Sequence, residues 1–208
     1  MGRPRHPKNL PGRILDAADR LLARSGYQKM TIDDLAQEVG IGKGTVYLHF
    51  RSKEEIVLSR VDRVVSRLVK KLVGIAKSNA TPEAKIRSML LLRVMFRFDS
   101  VQHYTESISE VLRTLRSGLL ERHQKHFEQE ARVFAKVLKE GQDAGVFQKA
   151  PALGTARVLL VATNSLLPFS LSTQELGSRR EVENNCKRVA DLLVPGLLRG
   201  PKRRKTEG

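Results

Sequence analysis

The sequence predicts an all-α protein, and three observations carry that prediction. Apolar residues recur at three- and four-residue spacing along most of the 208 residues. No segment sustains the alternation of apolar and polar residues that is typical of strands. Glycines and prolines cluster where one helical pattern stops and the next begins. We therefore expect about nine helices, three of them short and close to the N-terminus.

The three N-terminal helices are predicted from their stripes and their ends. The first runs from about Pro11 to Ser25, and its apolar stripe comprises Ile14, Ala17, Ala18, Leu21 and Leu22. The second begins after Thr31, which with Asp34 approximates a capping box. The break Gly40-Ile41-Gly42 separates it from a third helix over about 43–50. Two short helices joined by a sharp turn indicate a helix-turn-helix at about residues 32–51.

Longer helices follow. The sequence Ser52-Lys53-Glu54-Glu55 is a capping box that opens a long fourth helix, and Thr81-Pro82 opens a helix that reaches toward His103. Further helices are predicted over about 105–116, 119–144, 152–172 and 179–199. We divide the chain into an N-terminal domain at 9–55, a helical domain at 56–200 and a basic disordered tail at 201–208.

The third helix has one face for the core and another that packing does not explain. Val46 and Phe50 face inward, four residues apart. The opposite side carries Thr45, Leu48 and His49, flanked by Lys43 and Tyr47. A DNA major groove admits one helix, these polar types donate to phosphates or base edges, and a leucine packs on a thymine methyl. The pattern therefore predicts a DNA-binding helix.

Composition narrows the class of partner and compartment. There are 38 Lys+Arg against 22 Asp+Glu, a net charge of +16, which favours a polyanionic partner. The single cysteine, Cys186, excludes an intrachain disulfide and suits a reducing compartment. No apolar run approaches the ~20 residues that span a bilayer, and no signal peptide is visible. We expect an intracellular protein without a membrane partner.

Other chemistry is weak in this sequence. The run Gly40-Ile-Gly-Lys-Gly-Thr45 lacks the spacing and the preceding strand of a nucleotide-binding loop. His123, His126 and Glu130 have a loosely metal-like spacing, but a solvated helix face explains them better. Cys186 is expected to be a small buried residue. Since no catalytic constellation stands out, we predict neither an enzyme, a cofactor nor a metal site.

Residues 13–60 resemble the TetR/AcrR family of bacterial transcriptional regulators. The resemblance is strongest over Thr31-Ile-Asp-Asp-Leu-Ala-Gln-Glu-Val-Gly-Ile-Gly-Lys-Gly-Thr-Val-Tyr-Leu-His-Phe-Arg-Ser-Lys-Glu-Glu-Ile56. It implies a three-helix DNA-binding head followed by a dimerising, ligand-binding domain of about six helices. It also implies a cytoplasmic protein that acts on DNA.

The resemblance assigns roles residue by residue. Thr31, Tyr47, His49 and Lys53 match positions that contact phosphate. Lys43, Gly44 and Thr45 match the start of the recognition helix, which enters the groove, and Leu48 matches a variable position that helps to select the operator. Gly42 stands where the family usually has a Ser or Thr cap, so a hydroxyl contact at this position is in doubt.

For the second domain, the resemblance implies a homodimer through about 152–172 and 179–199 and a pocket for an unknown small-molecule effector. The helix 152–172 presents an apolar face that includes Val158 and Phe169, and helix 179–199 presents one that includes Leu192. Two such helix pairs form a four-helix bundle, although the same faces could instead complete the monomer core. Candidate pocket residues, which would suit an anionic amphipathic effector, are Arg93, Phe96, Arg97, His103 and Tyr104.

The function implied is a ligand-released, homodimeric repressor of a near-palindromic operator, with activation as the alternative outcome. A small-molecule binding protein with a vestigial head is the competing class. A nonspecific nucleic-acid-coating protein is disfavoured, because the charge forms no stripe with interleaved aromatic residues.

Overall fold

The prediction of an all-α fold is confirmed. A computed structural model describes residues 9–101, 111, 113–167 and 176–199, and no strand is present in this part of the chain. Within these ranges, two short 3-10 helices, Asn164–Leu166 and Pro195–Leu197, supplement eight α-helices. The α-helices are α1 (Leu10–Lys29), α2 (Ile32–Val39), α3 (Lys43–Tyr47), α4 (Lys53–Ala76), α5 (Pro82–Val101), α6 (Arg116–Asp143), α7 (Ala152–Ala162) and α8 (Arg179–Leu193).

The chain forms two compact units. The first comprises Met1–Ser66 and Ser100–His123, and the second comprises Arg67–Asp99 and Gln124–Gly208. Helices α4, α5 and α6 each contribute residues to both units.

The first unit is built on the apolar stripe of α1. All five predicted stripe residues are buried, and they pack with the apolar residues of α2 and with Val46 and Phe50. Gly26 interrupts α1 with φ 76° and ψ 175°, so the helical path breaks where the sequence placed its end. A final turn then continues to Lys29 and positions Tyr27, which is buried.

The second unit has an apolar core with charged residues inside it. Leu68, Met89 and Phe134 lie in one cluster that joins α4, α5 and α6. Cys186 is fully buried in a second cluster, as predicted, and burial raises the pKa of its thiol to about 11. The expectation of a solvated face at His126 and Glu130 was wrong, since both side chains are buried.

Two predicted helices end earlier than expected. Helix α7 stops at Ala162, and the hydroxyl of the next residue, Thr163, donates to the Leu159 and Leu160 carbonyls. Helix α8 stops at Leu193, because Pro195 has no amide hydrogen and its ring clashes with the preceding turn.

Some predictions fall outside the described residues. These are the candidate pocket residues His103 and Tyr104, the apolar residue Phe169, most of the predicted helix at 105–116, and the tail at 201–208.

Candidate nucleic-acid interface

The turn between α2 and α3 depends on one glycine in the left-handed region. Gly40 caps the C-terminus of α2 with φ 74°, and its amide donates to the Ala36 and Gln37 carbonyls. The Ile41 amide also donates to Ala36, at 2.9 Å, which closes the turn. Gly42 is then the N-cap of α3 without any side-chain hydrogen bond.

Helix α3 presents most of its polar residues outward. Val46 is fully buried and Phe50 nearly so, whereas Lys43, Gly44 and His49 are exposed and Thr45 is half-buried. Tyr47 is 48% exposed and Leu48 is 80% exposed. Leu48 therefore lies directly after the helix with its side chain largely open to solvent.

The end of α3 differs from the prediction. The helix stops at Tyr47, while the amides of His49 and Phe50 both donate to the Val46 carbonyl at 3.0 Å. His49 therefore lies on a tightened closing turn, and the chain bends there to bury Phe50.

An ion pair joins the start of α3 to the start of α2. The Lys43 ammonium donates to the Asp33 carboxylate at 2.8 Å, and both side chains are at least half exposed. The hydrogen bond and charge of Asp33 raise the pKa of Lys43. Sequence reasoning missed Asp33, since nothing in a helical pattern indicates a contact between residues ten apart in sequence across a turn.

Thr31 is bound within its own helix cap. Its hydroxyl accepts from the Asp34 amide at 3.1 Å and donates to the Asp34 carboxylate at 2.7 Å. Its amide also donates to that carboxylate, at 3.0 Å. These bonds complete the predicted capping box and lower the pKa of Asp34. A phosphate contact through the Thr31 hydroxyl hydrogen requires that hydrogen to turn away from Asp34.

Lys53, at the start of α4, is held by Tyr27. The Lys53 ammonium donates to the Tyr27 carbonyl at 3.0 Å and lies 4.3 Å from the centre of the Tyr27 ring. The Tyr27 hydroxyl donates to Glu54 at 2.9 Å. Hydrogen bonds from Ser52, from the backbone and from Tyr27 lower the pKa of Glu54. Sequence reasoning assigned Tyr27 no role, although the glycine before it was recognised as a helix end.

The start of α4 is a modified capping box. The Ser52 hydroxyl accepts from the Glu55 amide at 3.2 Å, as predicted. The Glu55 carboxylate, however, accepts from the amide of Arg51 at 2.6 Å, one residue before the expected donor.

The candidate pocket residues on α5 have other contacts. Arg93 and Arg97 are both buried and both donate to Glu130 of α6. Arg93 also donates to the Thr163 hydroxyl at 2.9 Å and to the Asn164 side chain at 2.8 Å. Phe96 is half-buried beside the core, with the Lys71 amine 6.0 Å from its ring centre. The two arginines thus have protein partners on two neighbouring helical segments.

Two features are absent from the residues that the structure describes. No group of three or more His, Cys, Asp or Glu side chains in that part of the chain is arranged to hold a metal ion. No helix in it combines the length and the apolar character needed to cross a membrane.

The sequence is similar to those of known bacterial regulatory proteins. Residues 14–59 match the family model for bacterial regulatory proteins of the tetR family. A fatty acid metabolism regulator protein of Bacillus subtilis is 25% identical, over 88% of this chain and 93% of that protein. The transcriptional repressor KstR2 of Mycobacterium tuberculosis is 26% identical, over 66% of this chain and 68% of its own length.

A solved structure supports the fold beyond the head. The regulator FadR of Bacillus subtilis, in complex with stearoyl-CoA, matches with a TM-score of 0.62 and 17% identity. The match covers 89% of this chain and 98% of that chain. The likeness therefore extends over both compact units.

Proposed function

Because this chain belongs to the tetR family of bacterial regulatory proteins, we propose that it is a homodimeric repressor that a small-molecule effector releases from a near-palindromic operator. It is a sequence-specific DNA-binding transcriptional regulator. The observation that carries the proposal is the outward face of α3, where polar residues and the 80% exposed Leu48 surround a short helix with a buried opposite face. Such a regulator acts in the bacterial cytoplasm, on DNA.

The interface residues divide by the part of DNA they meet. We assign phosphate contacts to residues at the rim of the interface and groove contacts to the start of α3, because phosphate contacts position a protein while base contacts specify the sequence. The rim residues are Thr31, Tyr47, His49 and Lys53; the groove residues are Lys43, Gly44, Thr45 and Leu48.

We assign one function to each of two domains. Residues 9–55 form the DNA-binding head, and 56–200 form the effector-binding and dimerisation domain. The helices at about 152–172 and 179–199 are the proposed dimer surface. Its support is that Val158, Val161 and Leu192 are 63%, 60% and 81% exposed on α7 and α8. Exposed aliphatic side chains at helix surfaces are typical of subunit interfaces.

The proposed effector is an anionic amphipath of the long-chain acyl-CoA type. Support comes from a relative named for fatty acid metabolism and from the stearoyl-CoA bound to FadR. The candidate residues in this chain are Arg93, Phe96, Arg97, His103 and Tyr104, of which Arg93 and Arg97 are buried and paired with Glu130. An effector that prefers one arrangement of the two heads lowers DNA affinity by its differential binding to the two states.

The DNA-binding proposal is tested by fluorescence anisotropy with a duplex that the protein enriches from a random pool. We expect Lys53→Ala and Tyr47→Ala to weaken binding to all duplexes by about three- to ten-fold each, because each loses a phosphate contact. The control is Lys70→Ala, which removes one charge from an exposed position of α4 in the second unit.

The outcomes separate the two classes of function. Unchanged affinity in both interface variants contradicts the assigned interface. A chain that enriches no sequence and binds only the effector is the small-molecule binding protein with a vestigial head.

A further inference from the structure

The ion pair between Asp33 and Lys43 neutralises a cation on the proposed DNA-binding surface. A DNA-binding surface gains affinity from each cation that neutralises a phosphate. Yet Lys43, at the first position of α3, donates to a carboxylate 2.8 Å away. The pair is neutral as a whole, so it adds little to the attraction between this face and the DNA backbone.

Lys53 shows the opposite arrangement. Its ammonium donates to a carbonyl and lies over an aromatic ring, and neither group carries a charge. Its positive charge thus remains available to a phosphate. The two lysines of the interface therefore differ in what holds them, and this difference indicates a difference in role.

We infer that Asp33 is a specificity-determining residue, which keeps Lys43 from phosphates and directs its amine toward a base edge. An ammonium has three donors, of which Asp33 takes one. The other two suit the paired O6 and N7 acceptors of a guanine in the major groove.

The carboxylate discriminates through the lysine that it holds. Asp33 is exposed in the first turn of α2, close to the proposed phosphate-binding rim at Thr31. A phosphate that approaches the Lys43 amine competes with the Asp33 carboxylate for its charge, whereas a neutral base edge accepts from the remaining N–H donors. Specificity built in this way weakens binding to every wrong sequence more than to the operator.

The inference rests on the proposed function, and its test is designed to separate the two. The probes are a duplex enriched by the wild-type chain from a random pool and a shuffled duplex of the same composition. Affinity for both is measured by anisotropy between about 50 and 300 mM KCl. The variants are Asp33→Asn, Lys43→Met, the double variant, and Glu38→Gln.

Glu38→Gln is the matched control. Glu38 lies on the same helix and also forms an ion pair, with Arg20 at 2.8 Å, so its loss changes the net charge by the same amount. Thermal unfolding of each variant checks that α2 remains folded.

We expect Asp33→Asn to bind the shuffled duplex about five-fold more tightly at low salt, with a salt slope steeper by about one counterion. The ratio of operator to shuffled affinity should fall about ten-fold, the scale of one base contact. Glu38→Gln should leave the ratio unchanged. In the Lys43→Met background Asp33→Asn should no longer change it, because Asp33 acts through Lys43.

Three results would overturn the inference alone. If Asp33→Asn leaves the ratio of operator to shuffled affinity unchanged, the inference is wrong while the DNA-binding function stands. An equal effect of Glu38→Gln shows that bulk charge alone is responsible, and an effect that persists without Lys43 shows that the pair is not the cause. A wild-type chain that enriches no sequence overturns the proposed function, and the inference with it.

Discussion

Glu130 holds two guanidinium groups in the interior of the second unit. It is fully buried, and its two oxygens accept from Arg93, at 2.7 Å, and from Arg97. Burial lowers the pKa of Arg97 to about 10, and the charge and hydrogen bond of Glu130 oppose that shift. Removing one partner of such a cluster leaves a buried charge without compensation. This lowers the stability of the fold more than replacing the whole cluster by apolar residues does.

The variant Glu130→Ala should therefore be strongly destabilised, by about 3–5 kcal/mol, as for other broken buried ion pairs. Urea unfolding followed by circular dichroism measures the change. Glu128→Ala is the matched control on the same helix, because Glu128 pairs with Arg157 at the exposed surface and its loss should leave the midpoint nearly unchanged. Equal midpoints for the two variants would contradict this account.

Residue burial was predictable from sequence only where it followed helical periodicity. The stripe of α1 and the inward Val46 and Phe50 were predicted correctly, because spacing alone places them. The burial of His126 and Glu130 was not predicted. The charge of Glu130 is buried because it pairs with Arg97 and Arg93, which lie 33 and 37 residues away in sequence. The Asp33–Lys43 pair escaped prediction for the same reason, as it crosses a turn.

At the scale of elements, α3 is short and almost without internal support. It has five residues and no side-chain cap. Its position comes from Val46 in the core and from the turn at Gly40, rather than from its own helix propensity, because an isolated helix of this length is unstable in water.

Gly44 offers a clean test of how closely DNA approaches α3. A Cβ atom built at Gly44 meets nothing within 4 Å inside the protein, so Gly44→Ala should fold at least as stably as the wild type. If DNA lies against this backbone, operator affinity should fall about ten-fold, the scale of one groove contact. Anisotropy and thermal unfolding are measured together.

Gly74→Ala provides the comparison. This glycine lies on α4, and a Cβ there also meets nothing within 4 Å. It should gain helix stability without any change in DNA affinity. A Gly44→Ala variant that binds the operator as the wild type does would place the DNA away from the start of α3.

Helix starts were predicted better than helix ends. The cap at Thr31 was recognised from local sequence and forms a complete capping box, because the bonds of a cap join residues three apart. The ends of α7 and α8 were placed too late. Helix α7 ends before Thr163. The Thr163 hydroxyl donates to the Leu159 carbonyl of the preceding turn and accepts from Arg93, which lies 70 residues away in sequence.

For the whole molecule, the net charge of +16 pointed to a polyanion without locating it. Residues 1–60 hold 11 Lys+Arg and 7 Asp+Glu, so this segment carries +4 and the rest of the chain carries +12. Within the head, two basic side chains of the proposed face differ in their partners, a carboxylate for Lys43 and a carbonyl for Lys53. The motif and its geometry therefore support the proposed interface, and the total charge contributes only to long-range attraction.

The proposed dimer depends on apolar side chains that the single chain leaves exposed. Leu192 is 81% exposed on α8 in the second unit. If a second copy covers it, Leu192→Glu buries a charge in that interface and should yield a monomer in sedimentation velocity. Leu120→Glu makes the same change at a 58% exposed position of the first unit and should leave the dimer intact.

The assembly state then decides DNA affinity. A dimer holds its second head at high effective concentration over the second half-site, whereas a monomer binds one half-site alone. Leu192→Glu should therefore bind a full operator about 100-fold more weakly, while its affinity for an isolated half-site stays that of one wild-type head. A Leu192→Glu variant that remains dimeric places the interface elsewhere. A monomer that keeps full operator affinity shows that the heads do not read the two half-sites together.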